Sequence, residues 1–189
     1  MTNKGASETF SKWLMRSFVL MWVALTLLTV ALLLPYWATG SVAEGNRTKT
    51  VRIGLWNYCE NYYDEGSPTQ CKRVLDYPLL TEEQKGLLWS IYALMLLVLF
   101  SLTLAIFTLG LKMFLLKSKV ILLPVSILLN SITVTALQVV ILLIRVNLDQ
   151  IGRDLPGASL HFSFVLSSIA EFVCFVADVM MGIEKLFHR

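Results

Sequence analysis

The chain has 189 residues, 56% of them hydrophobic and only 15% charged, with a formal net charge of +3. A soluble domain of this length keeps enough charge to cover its surface, so a mean hydropathy of +0.68 points to lipid instead. The composition offers nothing to a nucleic-acid binder.

Taken from the N-terminus, Lys4, Lys12 and Arg16 lead into a first apolar window at 14–34. That run exceeds the apolar core of about 7–15 residues found in a secretory leader, and no small-x-small site follows it. It is therefore expected to stay in the membrane. A hydrocarbon core is crossed by about 20 mostly apolar residues rising roughly 1.5 Å each, and further windows at 87–111, 120–144 and 160–183 meet that length. Helices satisfy their own backbone hydrogen bonds, as lipid demands.

The connection at 35–86 is long and mixed in charge. Tyr36–Val42 and Thr48–Trp56 are rich in β-branched and aromatic residues and are separated by the turn residues Glu44-Gly45-Asn46. Gly66-Ser67-Pro68 reads as a second turn, and Gln70–Tyr77 as a third extended segment. Thr81-Glu82-Glu83-Gln84 fits a capping box, which starts the second helix before its apolar window begins. The second connection holds Lys112, Lys117 and Lys119 with no acid, the third connection at 145–159 is balanced, and the tail holds Lys185 and Arg189. The positive-inside bias then places both termini and the second connection in the cytosol, and 35–86 and 145–159 outside.

Other signals agree. Asn46-Arg47-Thr48 is a glycosylation acceptor, usable only on the outer side. Cys59 and Cys71 share that oxidising compartment, while Cys174 lies within the fourth apolar run. One bridge, Cys59 to Cys71, is expected to clip a small sheet that has little core of its own. The expected fold is an all-α membrane four-helix bundle with a small extracellular antiparallel β-sheet, one tetraspan domain over 1–189.

Trp37, then Gly54-Leu55-Trp56, then Cys59 and Cys71 read as W…GLW-x-x-C…C. With the four-window layout, this resembles the claudin superfamily, which includes claudins, calcium-channel gamma subunits and epithelial membrane proteins. The resemblance implies a claudin-like fold in which the tryptophans wedge the outer sheet against the helices. It also implies a non-enzymatic protein of the plasma membrane. The lack of cysteines after the second and fourth windows departs from claudins. The short tail, the acceptor site between Trp37 and Gly54, and the pair Glu171-Phe172 are most similar to the short calcium-channel gamma subunits and gamma-like proteins. By that resemblance the expected partner is a larger channel or receptor, with a homo-oligomer also open. The competing readings are a junction or barrier protein, and a membrane-organising tetraspan.

Two acids stand out within the fourth window. Glu171 lies about 16 Å from its outer end at about 1.5 Å per residue, and Asp178 two turns deeper. Ser163, Ser167, Ala170, Cys174 and Ala177 form a seam of small residues, and the acids fall about 60–80° to one side of it. In the third window Ser131, Thr135, Gln138 and Arg145 share a face, so a hydrogen bond from Thr135 or Gln138 to Glu171 is expected to be feasible. Lys112 or Arg16 could reach Asp178 from the cytosolic rim. A structural contact, a docking contact for a partner's helix, and an ion path are the three readings. Elsewhere the chain offers no catalytic pairing, cofactor loop or metal set; His161 and His188 sit at opposite ends of the last window.

Overall fold

The computed structural model describes residues 4–44, 47–62, 69–76, 80–115, 121–154 and 159–187. Four long helices carry most of the chain: α1 (Lys4–Leu33), α2 (Glu82–Gly110), α3 (Leu122–Asp154) and α4 (Phe162–Phe187). Each contains a stretch long and apolar enough to cross a membrane: Lys12–Leu33, Glu82–Leu115, Leu122–Val146 and Phe162–Leu186. α2 closes with a π-helical turn at Leu111–Leu115.

Local chemistry sets the helix ends. Thr81 donates its backbone N–H to Gln84 Oε1 (2.8 Å), and Gln84 N–H returns a bond to Thr81 Oγ1 (3.3 Å). This is the reciprocal capping box expected from the sequence. Pro124 falls in the first turn of α3, where its missing N–H costs no helical bond. α3 runs on to Asp154, past the apolar stretch that ends at Val146. Most of the expected 145–159 connection is thus helix, because Asn147–Asp154 contains no proline and only one glycine, Gly152, to stop it.

Five strands form one antiparallel sheet in the order β4-β3-β2-β1-β5. They are β1 (Ala38–Glu44), β2 (Arg47–Ile53), β3 (Asn57–Tyr62), β4 (Gln70–Arg73) and the two-residue β5 (Ser159–Leu160). The first two match the expected segments closely. β3 does not: Asn57, Glu60 and Asn61 spoil its apolar alternation, and its pairing with β2 imposes the strand. The third expected segment is extended only to Arg73 and then turns through a 3₁₀ helix at Val74–Asp76. Asn46, the Gly66–Pro68 turn and His188 lie outside the described residues.

The chain divides into two compact units. One comprises residues 1–27, 95–138 and 169–189. Its core repeats every 3.5 residues on each helix, as Met95, Leu102 and Leu109 do on α2 and Ala170, Cys174 and Ala177 on α4. Small residues at these positions let helices approach closely, which supplies the packing energy that hydrophobic exclusion does not provide in lipid.

The other unit comprises 28–94 and 139–168 and holds the sheet. Trp37, 3% exposed, donates its indole N–H to the Ala31 carbonyl at the end of α1 (2.9 Å). The start of α4 is tied to the same corner, His161 N–H donating to Trp37 O (3.1 Å) and Ser163 N–H to Tyr36 O (3.0 Å). Between β2 and β3 the chain turns at Gly54, whose N–H donates to Asn57 O (2.8 Å). A Cβ there would lie 2.7 Å from Pro35 Cα and 2.8 Å from the Asn57 carbonyl oxygen, so only glycine fits.

Candidate functional site: a disulfide-clipped sheet and an intramembrane polar stripe

Cys59 and Cys71 are bridged, joining β3 to β4 across paired positions. Around the bridge the signature residues cohere. Leu55 is buried and its carbonyl accepts a hydrogen bond from the buried Tyr92 hydroxyl of α2. Trp56 stacks on the Tyr92 ring at 4.8 Å with an interplanar angle of 19°. The two tryptophans are not equivalent: Trp37 is enclosed, whereas Trp56 keeps 40% of its surface exposed. Burial, reinforced by the charges of Glu60 and Asp76, holds the Tyr58 hydroxyl above its ordinary pKa, against the opposing pull of Lys49.

The intramembrane polar groups lie in the other unit. Ser131 of α3 donates a 2.6 Å hydrogen bond to Asp178 Oδ2 of α4, and Asp178 Oδ1 is buried with no partner. Adjacent to it, Asn130 donates to the Cys174 carbonyl (2.8 Å). The small-residue seam of α4 is wholly buried, from Ser163 and Ser167 through Ala170, Cys174 and Ala177. Glu171 and Asp178 sit beside that seam, half-buried.

The expected hydrogen bond from Thr135 to Glu171 is not formed. Thr135 turns its hydroxyl back to the Ser131 carbonyl of its own helix (2.9 Å), the bond a helical threonine reaches at no entropic cost. Arg16 lies over the Trp13 ring (5.6 Å), and Ser131 donates to Asp178. Gln138 and Thr135 are exposed on α3. Gln138 and Glu171 are each seven residues from the Ser131–Asp178 bond, on antiparallel helices, so they lie at one depth on one side. The result is a polar stripe along the outer surface of α3 and α4.

One buried group escaped the sequence reading. Glu184 is 2% exposed, and neither of its carboxylate oxygens has a hydrogen-bond partner among the described residues, with the charge of Lys112 acting on it. The signal was present: the 4,3 spacing of the α4 seam continues from Ala177 to Met181 and Glu184. Among the described residues, no group of three His, Cys, Asp or Glu side chains could hold a metal ion.

A model of the PMP-22/EMP/MP20/Claudin family matches residues 11–183. The chain belongs to this family. Membership, with four candidate spans and the small antiparallel sheet, makes it a multi-pass membrane protein of claudin-like fold. No curated protein matches the chain individually. For a claudin-family chain the W…GLW-x-x-C…C residues are architectural here: they hold the turn at Gly54 and the corner at Trp37. The polar stripe is a separate feature, built from α3 and α4 alone.

Proposed function

We propose that this protein is a non-enzymatic auxiliary subunit of a larger channel or receptor in the plasma membrane, similar to the calcium-channel gamma subunits. In this reading both termini face the cytosol and the sheet is extracellular. The observation that supports it is the exposure of Gln138 and Thr135 within an apolar span, beside the half-buried Glu171. Polar side chains facing hydrocarbon are costly, and such groups in spans turn toward a bundle interior or a partner. A partner helix laid along the α3–α4 stripe supplies what the lone chain does not.

The test is isolation of the tagged full-length chain from its native membrane in mild detergent, beside Gln138→Leu, Glu171→Leu and the double variant. Leucine on a lipid-facing surface does not harm the lone chain. Interhelical hydrogen bonds contribute about 0.6–2 kcal/mol each, so each single variant should retain a co-purifying channel or receptor some three- to thirtyfold less well, and the double variant less well again, by up to the product of the two losses. Full retention overturns the reading. So does recovery of copies of this chain alone, concentrated where cells touch, which would indicate a junction protein.

A further inference from the structure

The side of α1 that turns away from the core is grooved. Leu14, Ser17, Met21 and Ala24 are buried, and at about 100° per residue they share one side of the helix. On the opposite side two i,i+4 ridges, Phe18–Trp22–Thr26 and Val19–Val23–Leu27, enclose a groove of about 350 Å³. The Phe18 wall is supported from behind. Its ring meets Trp22 (6.4 Å) and Phe114 of α2 (6.0 Å) in T-shaped contacts and lies beside Gly110. Thr26 donates its hydroxyl back to Trp22 O of its own helix (2.9 Å), so the groove offers no open hydroxyl.

Basic residues stand at one end of it. Arg16 and Lys12 are exposed and fall within the arc of the helix that carries the groove, about 3 and 9 Å before Phe18 at about 1.5 Å per residue. Arg16 lies over the Trp13 ring (5.6 Å), a cation–π contact that holds the guanidinium against the helix. Residues 1–33 hold Lys4, Lys12 and Arg16 against one acid, Glu8, so this end of α1 is positive. From Phe18 to Leu27 the groove runs about 13.5 Å, close to one leaflet of a hydrocarbon core about 30 Å thick.

Charge and length together decide the occupant. The ligand is apolar over about one leaflet and anionic at the end that meets Lys12 and Arg16. A sterol leaves both cations unmet, and a zwitterionic headgroup brings no net charge to them. We propose that this face of α1 binds one anionic phospholipid, an acyl chain lying between the two ridges and the phosphate-bearing headgroup against Lys12 and Arg16. Arginine takes a phosphate through paired N–H donors and lysine as a point charge. The site rests on the auxiliary-subunit reading only for the cytosolic placement of the N-terminus, which puts these cations at the leaflet where anionic lipids concentrate. Nanodiscs carry the lipid in both leaflets, so binding is tested without that placement.

The probe is phosphatidylserine, offered with an equal minor fraction of cholesterol in phosphatidylcholine nanodiscs that hold the full chain. Native mass spectrometry of the released chain reads which lipid stays bound and how many. One retained phosphatidylserine is expected, in preference to both other lipids. A basic residue near an anionic membrane surface is worth about fivefold, so Lys12→Gln/Arg16→Gln should cut that preference by at least this factor. Val23→Trp fills the groove without touching charge and should also release the lipid. All three positions are exposed, so both variants should stay folded and monodisperse. Loss in the charge variant with full retention by Val23→Trp would mean diffuse attraction to a basic rim and overturn the proposal. Unchanged preference in the charge variant, preferential retention of cholesterol, no retained lipid, or a lipid-free dimer seated through this face would each overturn it as well. None of these results bears on the α3–α4 stripe, which lies on other helices.

Discussion

Ser131 and Asp178 are joined across α3 and α4 by a 2.6 Å hydrogen bond, the one direct side-chain link between these helices that involves an acid among the described residues. Its value is read by a double-mutant cycle of Ser131→Ala and Asp178→Ala on folding stability in detergent or bicelles. Interhelical bonds in lipid couple by about 0.6 kcal/mol on average and seldom above about 1.7. We expect a coupling in that range, with Ser131→Ala the worse single change because it leaves both carboxylate oxygens without a donor. A coupling indistinguishable from zero would show that the bond does not hold the two helices together.

The Cys59–Cys71 bridge closes a loop twelve positions long between two strands. A bridge of that reach contributes about 3 kcal/mol in the chain-entropy model. The sheet and its turns have a small core, chiefly Trp37, Val51, Ile53, Leu55, Tyr58 and Val74, so a contribution of that size weighs on whether it stays folded. Cys59→Ser and Cys71→Ser should each be retained in the secretory pathway, and the double variant should be no worse. Surface delivery of the single variants at wild-type levels would remove the bridge's structural role.

The helices and the first two strands were legible because their signals are local. Apolar windows, the Thr81–Gln84 capping box and the turn residues near 44–46 each lie within a few positions of what they specify. The α4 seam was legible too, since its 4,3 spacing is a property of one helix. β3 was hidden because Asn57, Glu60 and Asn61 take their conformation from β2 and the bridge, not from their own propensities. The intramembrane pairing was half visible. Depth and facing placed Asp178 beside the seam, but which α3 hydroxyl it meets depends on rotation between helices, and Thr135 had a closer acceptor in its own backbone. Glu184 was missed because it sits where the apolar window ends, although its periodicity is that of the core.

Orientation is tested at Asn46. Glycosidase treatment should shift the apparent mass of the wild-type chain and leave Asn46→Gln unchanged, with terminal tags reached only after permeabilisation. A tag exposed on intact cells would overturn the cytosolic placement of that end.

The sheet should weaken in alkali. Tyr58 has its pKa raised by burial and by Glu60 and Asp76, so the neutral hydroxyl is the form the fold favours. The associated stability is complete below the unfolded tyrosine value of about 10 and is lost as pH rises through the higher folded value. Tyr58→Phe should flatten that alkaline loss when stability is followed from pH 8 to 12, and an unchanged profile would assign the loss to another group.

The turn at Gly54 sets two kinds of energy against each other. Gly54→Ala brings a methyl group to 2.7 Å from Pro35 Cα and 2.8 Å from Asn57 O, both backbone atoms that cannot swing aside. Overpacking of this kind costs about 1–3 kcal/mol, and fixed backbone on both sides puts it toward the upper end. Tyr92→Phe keeps the ring stacked on Trp56 but removes the hydroxyl that donates to the Leu55 carbonyl next to that turn. Leaving a buried acceptor unpaired costs about 1–3 kcal/mol, less if water reaches it. A cavity of about 100 Å³ lined by Leu55, Trp56 and the Cys59–Cys71 bridge leaves room for water close by. Gly54→Ala should therefore be the more damaging change, measured by thermal unfolding of the purified chain. The two variants act on one turn and should not add: once Gly54→Ala has displaced it, Tyr92→Phe has little left to remove. If Tyr92→Phe proves the worse of the two, the hydroxyl rather than the close backbone approach fixes the turn against α2.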